Sequence, residues 1–114
     1  MAYIFETQLH KRNSLKYSLI DIYGINLFWA TNFCKQLGFS DNLKVSDLSD
    51  EQIKSLVKLI ESSSVLVNDD LKNFNREIKT NLIQIKSYRG LRSLMRLPVR
   101  GQRTHTNAKT CKKR

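Results

Sequence analysis

The sequence predicts an all-α globule that carries an extended basic C-terminal tail. Two observations support this class: apolar residues recur at helical spacing between helix caps, and the basic residues are concentrated at one end of the chain. With 114 residues, the chain is long enough for one domain and a tail and can bury a modest core. We predict a helical domain over residues 1–87 and a basic extension over residues 88–114.

The first two predicted helices are short and end at glycines. Ser14 is placed to cap a helix over residues 15–23, and Gly24 ends it. A second apolar stretch over residues 27–37 predicts another helix, which Gly38 ends. No segment of the chain alternates apolar and polar residues for long enough to predict a strand.

Two longer helices are predicted after these. The run Ser49-Asp50-Glu51-Gln52 has the form of a capping box, and the helix that it opens should end at the serines that begin with Ser62. Asn68 and the two acids after it are typical of a helix start, because acids stabilise the positive end of the helix dipole. The apolar stripe of this last helix is expected to be buried. Its members are Leu71, Phe74, Ile78, Leu82 and Ile85.

Charge is distributed very unevenly along the chain. There are 20 Lys and Arg against 10 Asp and Glu, which gives a net charge of +10. All ten acids lie between Glu6 and Glu77, whereas residues 78–114 hold eleven basic residues and no acid. Because such a segment repels itself unless a polyanion binds it, the pattern favours a nucleic acid as the partner.

Arginine dominates the basic tail and recurs there every three or four residues. A planar guanidinium can hold a phosphate with two parallel hydrogen bonds or stack on a base. Glycine and proline interrupt the pattern, so we predict no continuous helix and expect residues 88–114 to be disordered alone and to become ordered on a partner. The arginines are Arg89, Arg92, Arg96, Arg100 and Arg103.

Other classes of function fit the residues less well. The acids lie mostly at helix starts or in turns, so a DNA repair enzyme would lack an acid/base pair, and we predict no catalytic site. No apolar run approaches the roughly 18 residues of a membrane span, and the tail lacks the apolar face of a membrane-active peptide. Cys34 and Cys111 form no CxxC pair and have no His at metal-ligand spacing, so neither a metal nor another cofactor is predicted.

Three short runs in the tail point to one protein family. The runs YRGLR at residues 88–92, LPVRGQRT at residues 97–104 and TNA at residues 106–108 resemble the signature of small-subunit ribosomal protein thirteen, bacterial type. Weaker similarity continues upstream in IYGI at residues 22–25 and KVSDL at residues 44–48. The resemblance covers essentially the whole chain and is densest at the tail.

The resemblance implies a helix-two-turns-helix globule and a structural, non-enzymatic role in translation. It implies binding to small-subunit ribosomal RNA in the head of the subunit and pairing with small-subunit ribosomal protein nineteen. It also implies inter-subunit bridges through large-subunit RNA and large-subunit ribosomal protein five, and a tail that approaches peptidyl-site transfer RNA. The implied RNA-binding residues are Tyr88, Arg89, Gly90, Arg92, Arg96, Arg100, Gly101, Gln102, Arg103, Thr104, Thr106, Asn107, Lys109, Lys112, Lys113 and Arg114.

The sequence also predicts a cellular compartment, and it departs from the family pattern at two places. His105 and Cys111 are similar to mitochondrial members, which predicts a mitochondrial ribosome, with a bacterial cytoplasm or plastid as the alternative. Ser-Leu-Met-Arg at residues 93–96 replaces a His-Arg-Arg-Gly-like stretch. Phe28 and Trp29 stand where the family has small or basic residues. Either both enlarge the core, or Trp29 is partly exposed and docks on RNA or protein.

Overall fold

The structure is a computed structural model that describes residues 2–113, and it is mainly helical. The all-α prediction is confirmed, with one exception at the N-terminus. Strands β1 (Ala2–Ile4) and β2 (Thr7–Leu9) pair antiparallel, with Tyr3 opposite Gln8. The expectation that the chain has no strand was therefore wrong.

The hairpin escaped prediction because its strands have only three residues each and its turn lacks the usual residues. Phe5 and Glu6 connect the strands with φ angles of 48° and 62°. Two successive positive φ angles define the hairpin turn that Asn-Gly normally forms. Ile4 and Leu9 are both buried on the core side of this hairpin.

The first predicted helix is interrupted. Helix α1 (Leu15–Ser18) continues as a 3₁₀ turn over Leu19–Asp21, so the predicted single helix is two shorter elements. Ser14 occupies the N-cap position, but its hydroxyl makes no capping hydrogen bond. Helix α2 (Leu27–Gln36) agrees closely with its prediction, and the Asn26 side chain accepts a hydrogen bond from the Trp29 amide at 3.1 Å.

The capping box predicted helix α3 (Asp50–Ser62) accurately. The Ser49 hydroxyl accepts from the Gln52 amide at 3.3 Å, and the Gln52 side chain accepts from the Ser49 amide at 3.0 Å. A 3₁₀ turn over Val45–Asp47 precedes this helix. The capping box thus provides hydrogen-bond acceptors for the Ser49 and Gln52 amides, which would otherwise lack partners at the start of the helix.

The hydrophobic core gathers side chains from the hairpin, the first three helices, the segments between them and the segment that follows α3. Phe33 is its largest fully buried side chain, and burial raises the pKa of the nearby Cys34 thiol, with a smaller opposing effect from the charge of Lys16. The core residues are Ile4, Leu9, Leu15, Leu19, Ile22, Ile25, Ala30, Phe33, Cys34, Val45, Leu56, Ile60 and Val67.

Three further helices follow the core: α4 (Asn68–Gln84), α5 (Tyr88–Leu94) and α6 (Lys109–Lys112). The predicted stripe of α4 is not buried, since Phe74 is 47% exposed and Ile85 is 71% exposed. Amphipathic spacing shows that a helix has an apolar face, but it does not show that the chain supplies a cover for it. Within residues 88–113 a capped helix occupies residues 88–94, and an irregular segment separates it from α6, so the helix is not continuous, as predicted. Disorder of residues 88–114 in isolation stays a prediction.

The chain divides into two compact units. The first, here called the core unit, extends through Leu71, and the second, the basic unit, begins at Lys72. This grouping places most of α4 with the tail, whereas the sequence prediction put the boundary after residue 87. The functional division at residue 87 stays a prediction. Within residues 2–113, no helix is both long and apolar enough to cross a membrane.

Candidate nucleic-acid interface

The basic unit holds most of the positive charge of the chain. Residues 72–113 contain twelve Lys and Arg and only one acid, Glu77. Arg89, Arg96, Arg100 and Arg103 are all exposed to solvent. A surface of this kind attracts polyanions and offers donors that suit phosphate oxygens.

A tight elbow joins α4 to α5 and orients the start of this surface. The Ser87 hydroxyl donates to the Leu82 carbonyl at 2.8 Å and accepts from the Gly90 amide at 3.1 Å, so one side chain ties the two helices together. Gly90 is buried, and a Cβ at this position would lie 2.8 Å from the Ile83 nitrogen and overlap the Leu82 carbonyl. Gly90 therefore serves the predicted site by allowing the helices to approach each other.

Arg92 has a different setting from the other arginines. It is half-buried, its Nε donates to the Pro98 carbonyl at 3.0 Å, and its guanidinium lies 5.9 Å from the centre of the Tyr88 ring. The hydrogen bond joins the YRGLR segment to the LPVRGQRT segment, a link that no pattern in the sequence predicts. Arg92 thus holds the two motifs together while its terminal nitrogens remain available.

Two basic residues occupy helix ends where glycine is usual. Lys86 ends α4 with φ 54°, and Arg96 ends α5 with φ 57°. In each case the following amide reaches back along the helix: Ser87 to the Leu82 carbonyl at 3.3 Å and Leu97 to the Arg92 carbonyl at 2.9 Å. This is the Schellman ending, in which a left-handed residue closes the last turn.

The remaining predicted residues lie on an irregular segment that leads to α6. The Arg100 amide donates to the Gln102 side chain at 3.2 Å, and Gly101 lies between them with φ 73°. The Thr106 hydroxyl donates to the His105 carbonyl at 2.7 Å. Further residues here are exposed, and Arg114 lies outside the described part of the chain. The exposed members are Thr104, Asn107, Lys109, Lys112 and Lys113.

The structure adds two basic residues that the sequence prediction did not include. Lys79 lines a groove together with Arg96 and Arg100, and Lys86 stands at the elbow. Their signal in the sequence was the absence of any acid after Glu77. Among the described residues, no three His, Cys, Asp or Glu side chains lie close enough together to hold a metal ion.

Comparison with known proteins gives a consistent result. The sequence profile of the family described as ribosomal protein S13/S18 matches residues 3–110. The chain is 46% identical to small ribosomal subunit protein uS13m of Marchantia polymorpha, over 99% of this chain and 93% of that protein. It is 39% identical to uS13m of Daucus carota, over 99% of this chain and 97% of that protein.

A bacterial relative is similar over nearly the same length. Small ribosomal subunit protein uS13 of Akkermansia muciniphila is 37% identical, over 98% of this chain and 90% of that protein. The uS13m relatives are mitochondrial, which agrees with the predicted compartment, and the bacterial relatives agree with the stated alternative. The profile and the relatives show that the chain belongs to the ribosomal protein S13/S18 family, whose members are structural, non-enzymatic constituents of the small ribosomal subunit.

Proposed function

We propose that the chain anchors itself to small-subunit ribosomal RNA through the basic extension over residues 88–114, as part of a mitochondrial small subunit. The observation that carries this proposal is the charge of residues 72–113, where twelve cations accompany one acid and most arginines are exposed. Non-specific RNA binding depends mainly on cations that replace the counterions of phosphates. The globule over residues 1–87 then positions the extension in the head of the subunit.

The RNA-binding residues are proposed to fall into two groups. The first group contacts phosphates, 2′-hydroxyls or bases directly. It comprises Tyr88, Arg89, Arg96, Arg100, Gln102, Arg103, Thr104, Thr106, Asn107, Lys109, Lys112, Lys113 and Arg114. The second group shapes the backbone and consists of Gly90, Arg92 and Gly101, since Gly90 is buried and Arg92 bonds to the Pro98 carbonyl.

Protein partners are proposed to bind surfaces that the chain does not cover itself. Phe74 and Ile78 on α4 are 47% and 44% exposed, which is the kind of apolar surface that a protein interface buries. This supports pairing with small-subunit ribosomal protein nineteen. The same role in the head includes bridges to large-subunit RNA and large-subunit ribosomal protein five, and an approach of the tail to peptidyl-site transfer RNA.

The salt dependence of RNA binding tests the main proposal. Replacing Arg89, Arg100 and Arg103 with Gln removes three exposed cations and leaves the hydrogen bond of Arg92 intact. The slope of log affinity against log salt should fall by about 0.7–0.9 for each phosphate interaction that the substitutions abolish. A matched control replaces the exposed Lys35, Lys54 and Lys58 of the core unit with Gln. Equal slopes for the two triple variants would refute RNA binding by the extension.

Sedimentation and cross-linking test the partners. In a mitochondrial lysate the chain should travel with the small subunit at moderate salt and should cross-link to protein nineteen through Cys residues placed at Phe74 or Ile78. Cross-linking from the exposed Lys54 position on α3 serves as the control. Recovery of protein nineteen from Lys54 but not from α4 would contradict the proposed pairing.

A further inference from the structure

A groove within the basic unit runs between α4 and the two motif segments. It encloses about 670 Å³, a volume within the range of small-ligand sites in proteins. Lys79 and Ile83 line it from α4, and the residues around Pro98 line it from the other side. Among the lining residues Pro98 is buried, whereas Arg96 and Arg100 are exposed.

The charges around the groove are all of one sign. Lys79, Arg96 and Arg100 line it, and among the described residues no carboxylate does. Glu77 is two residues before Lys79 on the same helix, and residues at that spacing do not share a helix face. The groove is therefore complementary to an anion, and its guanidinium groups can hold a phosphate bidentately.

Arg96 lines the groove and has an unfavourable backbone conformation. Its φ of 57° is a conformation that glycine adopts freely and that a side chain disfavours. The equivalent position at the end of α2 in the core unit is Gly38, with φ 70°. Arg96 thus places a cation where glycine would fit the backbone better, and it lines a groove with two other cations. This points to a use for the charge in the groove.

The apolar part of the groove distinguishes it from a simple phosphate contact. Ile83, Leu97 and Val99 are half-buried and line it beside the cations. Ser93 and Gln102 add neutral polar groups to the lining of the groove. A nucleotide combines these features, because its phosphate is anionic, its base has apolar faces and its base edges form hydrogen bonds.

We propose that this groove receives one unpaired RNA nucleotide, with its phosphate held by Lys79, Arg96 and Arg100 and its base packed on the aliphatic side chains. The inference rests on the proposed RNA binding and names a specific site within it. Paired bases are stacked inside a duplex and cannot enter, so the groove selects unpaired positions. Lys79 on α4 is the residue that this site adds to the extension.

The test compares two RNA probes and two single substitutions in the full chain. The probes are an oligouridylate of about 12 nucleotides and an RNA duplex of about 12 base pairs, each long enough to span one phosphate-binding groove. Lys79→Gln removes the groove lysine, and Lys86→Gln removes a lysine just beyond the same helix without introducing glycine or a β-branched residue at its positive φ. Circular dichroism should confirm that both variants keep their helical content.

Lys79→Gln should weaken oligouridylate binding about tenfold, the size expected for loss of one charge-assisted hydrogen bond. Its effect on the duplex should be no larger than that of Lys86→Gln, and Lys79→Arg should restore oligouridylate binding. Val99→Thr, which keeps the side-chain shape and adds a hydroxyl, should reduce the preference for oligouridylate over duplex.

Equal effects of Lys79→Gln and Lys86→Gln on both probes would overturn the nucleotide site. The proposed function would still stand in that case if the triple arginine variant flattened the salt dependence. Failure of the wild-type chain to bind either probe would instead overturn the proposed function itself.

Discussion

The core unit and the basic unit are stabilised in different ways. All large side chains that are fully buried lie before residue 61, and they come from the hairpin, the first three helices and the segments between them. In residues 72–113 the buried positions are Gly90 and Pro98, neither of which has a large side chain. The order of the basic unit comes instead from helix caps and backbone hydrogen bonds, such as those of Ser87.

This difference matches the distribution of charge. The core unit has seven Lys and Arg against nine acids, so its net charge is small, whereas residues 72–113 of the basic unit carry +11. Burial of apolar area stabilises a fold without a partner, but unscreened like charges oppose compaction. The apolar burial that stabilises the fold and the positive charge therefore lie in different parts of this short chain.

The largest expected effect comes from removing a core side chain. Leu56 is fully buried on α3, so Leu56→Ala should lower the free energy of unfolding by about 2–5 kcal/mol. Urea denaturation followed by circular dichroism measures the change. Leu94→Ala is the control in the basic unit, where the side chain is 61% exposed and the change should stay within about 0.5 kcal/mol. Equal losses for both would end the distinction between the units.

The aromatic pair on α2 gives a second test within the core unit. Trp29 is half-buried and stacks on Phe33 with ring centres 5.6 Å apart, whereas Phe28 is 68% exposed. Trp29→Ala should therefore destabilise the fold by about 2–3 kcal/mol, and Phe28→Ala by less than about 0.5 kcal/mol. Thermal unfolding of both variants measures the two losses of stability. A larger loss for Phe28→Ala would show that the packing of α2 is assigned wrongly.

The α4–α5 elbow should be sensitive to a single methyl group. Gly90→Ala places a Cβ against the Leu82 carbonyl, and overpacking of this kind costs about 1–3 kcal/mol. Amide hydrogen exchange over residues 87–95 should accelerate, while exchange in α3 stays the same. Gly101→Ala is the control, because its φ of 73° is positive but open space surrounds the Cβ position. Unchanged exchange in Gly90→Ala would contradict the close approach.

The smallest expected effect is a gain in stability. Lys86→Gly relieves a side chain at φ 54° and should stabilise the basic unit by about 0.5–1 kcal/mol, less a small contribution from the lost charge at the helix end. The reverse exchange, Gly38→Lys in the core unit, should destabilise by about 1 kcal/mol. This cost comes from the positive φ alone, because no atom crowds that Cβ position. Hydrogen exchange at the helix ends measures both. Destabilisation by Lys86→Gly would show that the charge outweighs the backbone strain.

Local signals in the sequence predicted some elements closely. The capping box and the apolar spacing after it predicted α3, because both depend on residues within one helix turn of each other. The charge asymmetry likewise indicated the candidate interface without any knowledge of the fold. Predictions that required knowledge of neighbours did less well. Three of the five residues in the α4 stripe are exposed and the other two are half-buried, and Phe28 is more exposed than Trp29.

The sequence by itself determined the family, the helical class and the concentration of positive charge toward the C-terminal end of this protein. These follow from residue identity, short-range spacing and net charge, none of which depends on how distant segments meet. Only the tertiary structure decided that Arg92 joins the two motifs through the Pro98 carbonyl, that Gly90 packs against Leu82, and that Lys79 shares a groove with Arg96. The partners in these pairs are 6 to 17 residues apart in the sequence. The elbow at Lys86 and Ser87 brings the last two pairs together, and the turn at Arg96, with φ 57°, returns Pro98 to Arg92.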